Sequence, residues 1–327
     1  MSSPEAHEHR FQTSPKVSPY CQPQRVEELW FHDGTLVLAT ETLLFRIYGG
    51  LLAKESPIFD DMLRLPKPKD AATVDGCPMV HLFDHGRDVE YFLKALIDYK
   101  FFLAFPSPTT FDIVTGIIRL SKKYEVDSLY KRALVHFASA FPMTVADYPI
   151  CPSWDPTDEY IRALTFAREL ELDWALPTAL YRVCAYTAIE DILNGIRVDN
   201  RWLELDPQDK LVCLQQSVEL RGSASASILD FLWDPEKIEG CRNYNSTCKD
   251  ERLRLRKLAE DWRTKNLPLV LWTDEEWSLC NACSTCLNVM KATHQASLEK
   301  FWDSLPQRFG LGTWDDLRER KSIALGS

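Results

Sequence analysis

The first part of the chain alternates short β-rich runs with turn signals. Residues 29–31 and 36–39 flank an Asp-Gly dipeptide that is typical of tight turns, so the pattern predicts a β-hairpin. Further strands are predicted at residues 42–46 and 79–83, where apolar residues again stand between turn-forming ones. We therefore expect a small sheet near the amino terminus.

From residue 88 onward the apolar positions follow a helical period. Four apolar residues between 89 and 96 recur at i, i+3, i+4 and i+7, which is the pattern of an amphipathic helix. The helical period continues to about residue 235, and Asp206-Pro207 combines a capping aspartate with a proline in the first turn. The pattern predicts an α+β part followed by a mostly α-helical region.

Length and composition divide this pattern into units. A chain of 327 residues predicts two to three compact units, and 45% hydrophobic residues supply enough apolar mass to fold them. The predicted organisation is a flexible, proline-containing tail at 1–25, an α+β domain at 26–145, an all-helical extension at 150–235 and a cysteine-containing helical region at 236–327.

Three segments of the predicted α+β domain resemble the BTB/POZ family. They are residues 33–38 (DGTLVL), 45–48 (FRIY) and 51–59 (LLAKESPIF), similar to the family's strand pair and its F-x-V-H and L-A-x-x-S-x-x-F patterns. Tyr48 stands where the family usually has histidine. The whole chain is similar to fungal BTB proteins in which helices and a cysteine-containing end follow the domain.

This resemblance implies an α+β BTB/POZ domain that presents surfaces to other proteins and has no active site. The partners that it implies are a second copy of the chain or a cullin, for which the chain would serve as a substrate receptor in a ubiquitin ligase. No P-loop, G-x-S-x-G or H-E-x-x-H motif occurs in the sequence. We therefore expect a non-enzymatic adaptor or scaffold.

Ten cysteines are present, and five of them crowd the last quarter of the chain: Cys241, Cys248, Cys280, Cys283 and Cys286. The first residues have no secretory pattern, so we expect an intracellular, reducing compartment, cytoplasm or nucleus, where thiols stay free or bind metal. The C-x2-C spacing of Cys280 and Cys283 lets two thiolates reach one ion, and Cys241 and Cys248 form a second pair. These four are predicted to hold a structural Zn²⁺, with Cys286 as a substitute if the segment is helical.

Two other interpretations of this group stay open. Free cysteine often fills a core as a small apolar residue, and thiols at i, i+3 and i+6 suit a buried stripe. A redox dithiol is the third interpretation, although no thioredoxin-like βαβ pattern flanks the motif. A zinc ion held by four cysteines would be structural, because no open position remains for catalysis.

The charge of the chain argues against nucleic acid as its main partner. With 38 basic and 48 acidic side chains the net charge is -10, the wrong sign for binding phosphates. Residues 279–283 resemble half of a GATA-type finger, so a DNA-bound transcriptional regulator using the cysteine segment is the alternative function. The basic stretch 249–265 is interpreted as a solvated helix face, and His294 as a core residue. No apolar run approaches the roughly 18 residues that span a bilayer, so no membrane contact is expected.

Overall fold

The computed structural model describes residues 23–66, 72–149, 159–198, 201–233, 237–262, 267–270, 272 and 274–326. The chain is a mixed α+β protein with a small N-terminal sheet and a helical C-terminal region. It divides into two compact units, Met1–Leu93 and Lys94–Ser327. None of the described helices is long and apolar enough to cross a membrane. Most of the predicted tail, residues 1–25, lies outside the described residues, and its last two residues begin the first strand.

The first unit contains a five-stranded sheet. Its strands are β1 (Gln24–Trp30), β2 (Leu36–Ala39), β3 (Leu43–Ile47), β4 (Thr73–Val74) and β5 (Cys77–His81). Their order is β1-β3-β2-β5-β4, with β3 antiparallel and β5 parallel to the central β2. Asp75 and Gly76 join β4 to β5 with φ values of 49° and 77°, the backbone region that two-residue hairpin turns favour.

The hairpin predicted across the Asp-Gly turn is wrong in its pairing, because β3 lies between β1 and β2. Both sides of the turn donate to β3, from Phe31 N to the Arg46 carbonyl and from Thr35 N to the Ile47 carbonyl, each at 2.9 Å. A Cβ at Gly34 would lie 3.0 Å from the Phe31 carbonyl oxygen, so the close turn needs glycine. The turn therefore leads from β1 into a different strand pair, the β2–β3 hairpin.

Two short helices, α1 (Gly49–Glu55) and α2 (Pro57–Arg64), follow β3. Ser56 caps α2, since its side chain accepts from Phe59 N at 3.2 Å. All four residues of β2 are buried, as expected of a central strand. Several core side chains of this unit are at most 1% exposed: Val37, Leu38, Phe45, Ile47, Leu52 and Phe59.

The second unit is mostly helical. The boundary between the units falls inside α3 (Gly86–Ile97), and the helices that follow are α4 (Phe111–Lys123), α5 (Asp127–Ser139), α6 (Glu159–Glu169), α7 (Leu176–Tyr186), α8 (Ile189–Asn194), α9 (Pro207–Glu219), α10 (Ser225–Ile228), α11 (Lys249–Trp262), α12 (Asp274–Ser278), α13 (Ser284–Arg308) and α14 (Trp314–Leu325). The predicted start of α9 is confirmed, because Asp206 accepts from Gln208 N at 2.8 Å.

A small hairpin interrupts the predicted all-helical extension. Its strands are β6 (Ile196–Val198) and β7 (Arg201–Leu203), paired antiparallel. The prediction of helix alone is wrong at this point. Strands of three residues are too short to produce a recognisable alternation of apolar and polar positions.

Helix α7 lies in the core of the second unit, where all its residues from 176 to 185 are buried. The C-terminal helix α14 is anchored near the end of α5. Lys321 Nζ donates to the carbonyl oxygens of Ala138 at 3.2 Å and Phe141 at 3.0 Å. One lysine thus donates to two carbonyl groups at the C-terminal end of α5, where a cation also interacts favourably with the helix dipole.

Candidate metal centre

Four cysteine side chains meet in the second unit. The Sγ atoms of Cys241, Cys248, Cys283 and Cys286 all lie within 4.8 Å of one another, and those of Cys241 and Cys283 are 4.0 Å apart. Four thiolates at about 2.3 Å from one tetrahedral zinc ion are separated from each other by about 3.8 Å. The sulphur atoms therefore approach the spacing that a single ion requires.

Three of the four predicted ligands belong to this group, and Cys286, the named substitute, stands in place of Cys280. The start of α13 explains the exchange. Cys283 is the N-cap, with φ −62° and ψ 156°, and Cys286 is the third residue of the helix. Side chains at the N-cap and N3 positions approach each other at a helix start. Cys280 precedes this start and lies outside the group of close sulphur atoms.

The other two cysteines come from the ends of a closed loop. Gly240 enters it with φ 80°, a backbone conformation that favours glycine. Within the loop the Asn243 carbonyl accepts from the backbone N–H groups of three consecutive residues ending at Cys248, at 3.1 to 3.2 Å. Cys283 N–H then donates to Cys248 Sγ at 3.3 Å, which joins the loop to the start of α13.

An ion pair on α11 between the buried Glu251 and the exposed Arg254 holds the segment that precedes Cys283. Glu251, 7% exposed, accepts from Arg254 at 2.9 and 2.6 Å and from the backbone N–H of Asn281 at 3.0 Å. Arg254 also donates to the Leu279 carbonyl at 2.9 Å. Because α11 begins directly after Cys248, this brace fixes the two cysteine-bearing segments against each other. The sequence carries no sign of this brace, because a Glu-Arg pair in a charged run does not show that the glutamate is buried.

The thiols of the group differ in their acidity. Burial raises the pKa of both Cys248 and Cys286, so these thiols keep their protons unless a cation replaces them. The backbone N–H of Cys286 faces the Cys283 sulphur and lowers the pKa of Cys283 to about 7, although no full capping hydrogen bond forms. A divalent ion would displace the remaining protons and compensate the thiolate charges.

The arginines of α11 make internal contacts. Arg252 is 8% exposed and donates to the Phe231 carbonyl at 3.0 Å. The Arg256 guanidinium lies 5.2 Å from the centroid of the Trp233 ring, and its Nε is 4.0 Å from Glu260. These contacts hold both side chains within the fold, whereas phosphate binding needs cations that reach outward.

His294 lies on the same helix as Cys286 but is not part of the sulphur group. It is buried beside Trp277, with 5.6 Å between the ring centroids. The prediction of a core histidine is confirmed.

Comparison with known proteins adds no relative to this description. A scan against protein-family models finds no match to the chain, and a search of curated proteins finds none.

Proposed function

We propose that the chain is a non-enzymatic protein-interaction adaptor whose C-terminal region is stapled by one structural Zn²⁺ ion on Cys241, Cys248, Cys283 and Cys286. The observation that carries this proposal is the closed donor set. Four sulphur atoms surround one position, and no histidine or carboxylate of the described residues joins them. A tetrahedral zinc ion with four protein ligands has no position for water or substrate. Such a centre stabilises a fold and does not perform a reaction.

The strand arrangement of the first unit supports a BTB/POZ-like adaptor. The β2–β3 hairpin is followed by the α1–α2 helix pair, and β5 then returns parallel to β2. This order is consistent with the strand pair, helix pair and third strand that the family resemblance implies. We therefore retain the BTB/POZ assignment as part of the proposal.

Exposed apolar side chains give this adaptor a place to bind protein. In the first unit Phe83 is 93% exposed and Leu65 is 67% exposed. Exposed large apolar groups cost little in an isolated chain but gain binding energy when a partner covers them. A cullin subunit of a ubiquitin ligase is the partner class we propose, with the chain as substrate receptor.

A DNA-bound regulator has weaker support. The net charge of -10 opposes phosphate binding, and Arg252 and Arg254 beside the metal centre are engaged with carbonyl groups and Glu251. We therefore do not propose nucleic acid as a partner.

Native mass spectrometry of the full chain, purified without chelators, tests the zinc staple. We expect one zinc ion per chain, lost on addition of a strong chelator together with part of the helical circular dichroism signal. A metal-free chain with an unchanged helical signal would contradict the staple.

Calorimetric titration of the full chain with the N-terminal region of a cullin tests the adaptor. We expect Phe83→Ser to weaken binding about tenfold or more, as truncation of a central aromatic contact does. Ile323→Ser is the matched control, because Ile323 is 73% exposed on α14 and should leave the affinity unchanged. Absence of binding by the unsubstituted chain would overturn the cullin assignment while leaving the zinc staple intact.

A further inference from the structure

We infer that the metal centre is redox-sensitive: a hydroperoxide oxidises Cys283, Cys280 completes a disulfide with it, and the zinc ion is released. This inference rests on the proposed zinc staple and states the condition under which the staple opens.

The four ligands differ in their access to solvent. Cys241, Cys248 and Cys286 are 3%, 0% and 1% exposed, whereas Cys283 is half-buried at the N-cap of α13. All four sulphur atoms are thiolates when they bind zinc. Access then decides which thiolate meets a small oxidant first, and the accessible one is Cys283.

A fifth thiol, that of Cys280, lies three positions before this accessible ligand in the sequence. Cys280 is also half-buried, lies outside the ligand group, and is separated from Cys283 by two residues with a bend at Ala282. The C-x2-C spacing allows two thiols to form a disulfide. Cys280 can therefore react with an oxidised Cys283 without first leaving the metal.

Hydrogen bonds on both sides of Cys280 hold its loop in place. The N–H of Asn281 donates to Glu251, and the carbonyl of Leu279 accepts from Arg254. Both partners belong to α11, which does not include a ligand. The brace thus keeps the Cys280 thiol near the start of α13 while zinc is still bound, which is when the disulfide forms.

The chemistry balances with hydrogen peroxide as the oxidant. The Cys283 thiolate attacks one peroxide oxygen, the O–O bond breaks, and a sulfenic acid and hydroxide form. The Cys280 thiol then attacks the sulfenic sulphur, a disulfide forms and water leaves, while a solvent proton converts the hydroxide to a second water. Two electrons pass from the two sulphur atoms to the peroxide, and zinc is left with three ligands and dissociates.

Peroxide treatment of the zinc-loaded full chain tests this sequence. A chromogenic chelator reports the released zinc, and peptide mapping by mass spectrometry locates the disulfide. We expect release together with a Cys280–Cys283 disulfide, and recovery of zinc binding after reduction with dithiothreitol.

The variant Cys280→Ser separates the resolving thiol from the ligands. We expect it to bind zinc and to release it at the rate of the unsubstituted chain. Zinc binding should not recover after reduction, because an unresolved Cys283 proceeds to sulfinic acid, which dithiothreitol does not reduce.

A disulfide between two of the buried ligands, full recovery of Cys280→Ser, or zinc that withstands peroxide would each overturn the inference and leave the staple standing. A chain that contains no zinc before peroxide is added would overturn both, and the native mass spectrum distinguishes this case.

Discussion

Strand β2 is fully buried and three of the four cysteines in the metal group are buried too, yet the two regions depend on different forces. The residues of β2, Leu36–Ala39, are apolar, entirely buried and paired on both edges, with β3 and β5. Each contributes apolar area at roughly 25 cal/mol per Å². The cysteine group buries small thiols that attract one another only weakly. Burial alone stabilises the strand, whereas the cysteine group needs an ion to hold its segments together.

The two regions join parts of the chain that lie similar distances apart in the sequence, but they hold those parts together by different forces. The partners of β2 come from residues 43–47 and 77–81. The cysteines come from a loop before α11 and from the start of α13, with α11 and α12 between them. Closing that long segment costs chain entropy, which a bound ion offsets through its ligand bonds. Loss of the ion should therefore loosen one segment, and loss of a β2 side chain should weaken the first unit.

The largest effect is expected from Cys248→Ser. Structural zinc sites contribute apparent free energies of about 10 kcal/mol, and this variant removes a fully buried ligand. We expect loss of zinc and faster amide hydrogen exchange in α11 and the first turns of α13. Exchange in β2 should stay slow.

Chelation of the unsubstituted chain is the control, because it removes the ion without changing a side chain. It should reproduce the exchange pattern of Cys248→Ser. If α11 stays equally protected from hydrogen exchange in the zinc-free chain, the cysteine group does not need an ion. The thiols would then be ordinary core residues.

Leu38→Ala is expected to produce the opposite pattern at a smaller magnitude. Leu38 is 0% exposed in the central strand, so its truncation leaves a cavity and costs about 3 kcal/mol. Hydrogen exchange in β2 and β3 should accelerate while the zinc content stays unchanged. A loss of zinc in this variant would mean that the two regions do not fold independently.

Glu251→Gln is expected to weaken the metal centre without destroying it. The substitution keeps the shape of the side chain but loses the charge that holds Arg254 and the Asn281 amide. Groups that orient metal ligands typically contribute about tenfold in affinity, which a competing chelator would measure. Asp315→Asn is the matched control, since Asp315 pairs with Arg318 at the same i,i+3 spacing but is 92% exposed. If both substitutions change the zinc affinity equally, the Glu251–Arg254 pair contributes no more to the metal centre than an exposed ion pair does.

Many of the helices and strands were predictable from local patterns. The errors concerned the pairing of the first strands and one short hairpin. The cap at Asp206 was visible because its chemistry acts within two residues. The insertion of β3 between β1 and β2 was not visible, since strand order depends on contacts between distant residues. The hairpin of β6 and β7 was missed because it is too short for a pattern.

The ligands of the metal group were also only partly predictable, because one of them depends on where a helix begins. The cysteine spacing predicted Cys241, Cys248, Cys280 and Cys283 as the ligands, with Cys286 as a possible substitute, whereas the close sulphur group contains Cys286 and not Cys280. The choice depended on where α13 begins, and helix starts are uncertain from sequence by a few residues. Because Cys283 is the N-cap, Cys286 joins the group and Cys280 does not.

The smallest effect is expected from Cys280→Ser. Its comparison with Cys286→Ser is the sharpest test of which cysteine is the fourth ligand. The two thiols stand at equal distances along the chain from Cys283, but only Cys286 belongs to the sulphur group. Cys280→Ser should bind one zinc ion with unchanged affinity for the metal, because the half-buried Cys280 lies outside the sulphur group. Cys286→Ser should lose the ion, since its side chain is 1% exposed within the group and a hydroxyl is a poor ligand for zinc beside three thiolates. Zinc titration of both variants in one competition assay gives the comparison directly. If Cys280→Ser loses the metal and Cys286→Ser keeps it, α13 begins differently in solution and the ligands are Cys241, Cys248, Cys280 and Cys283.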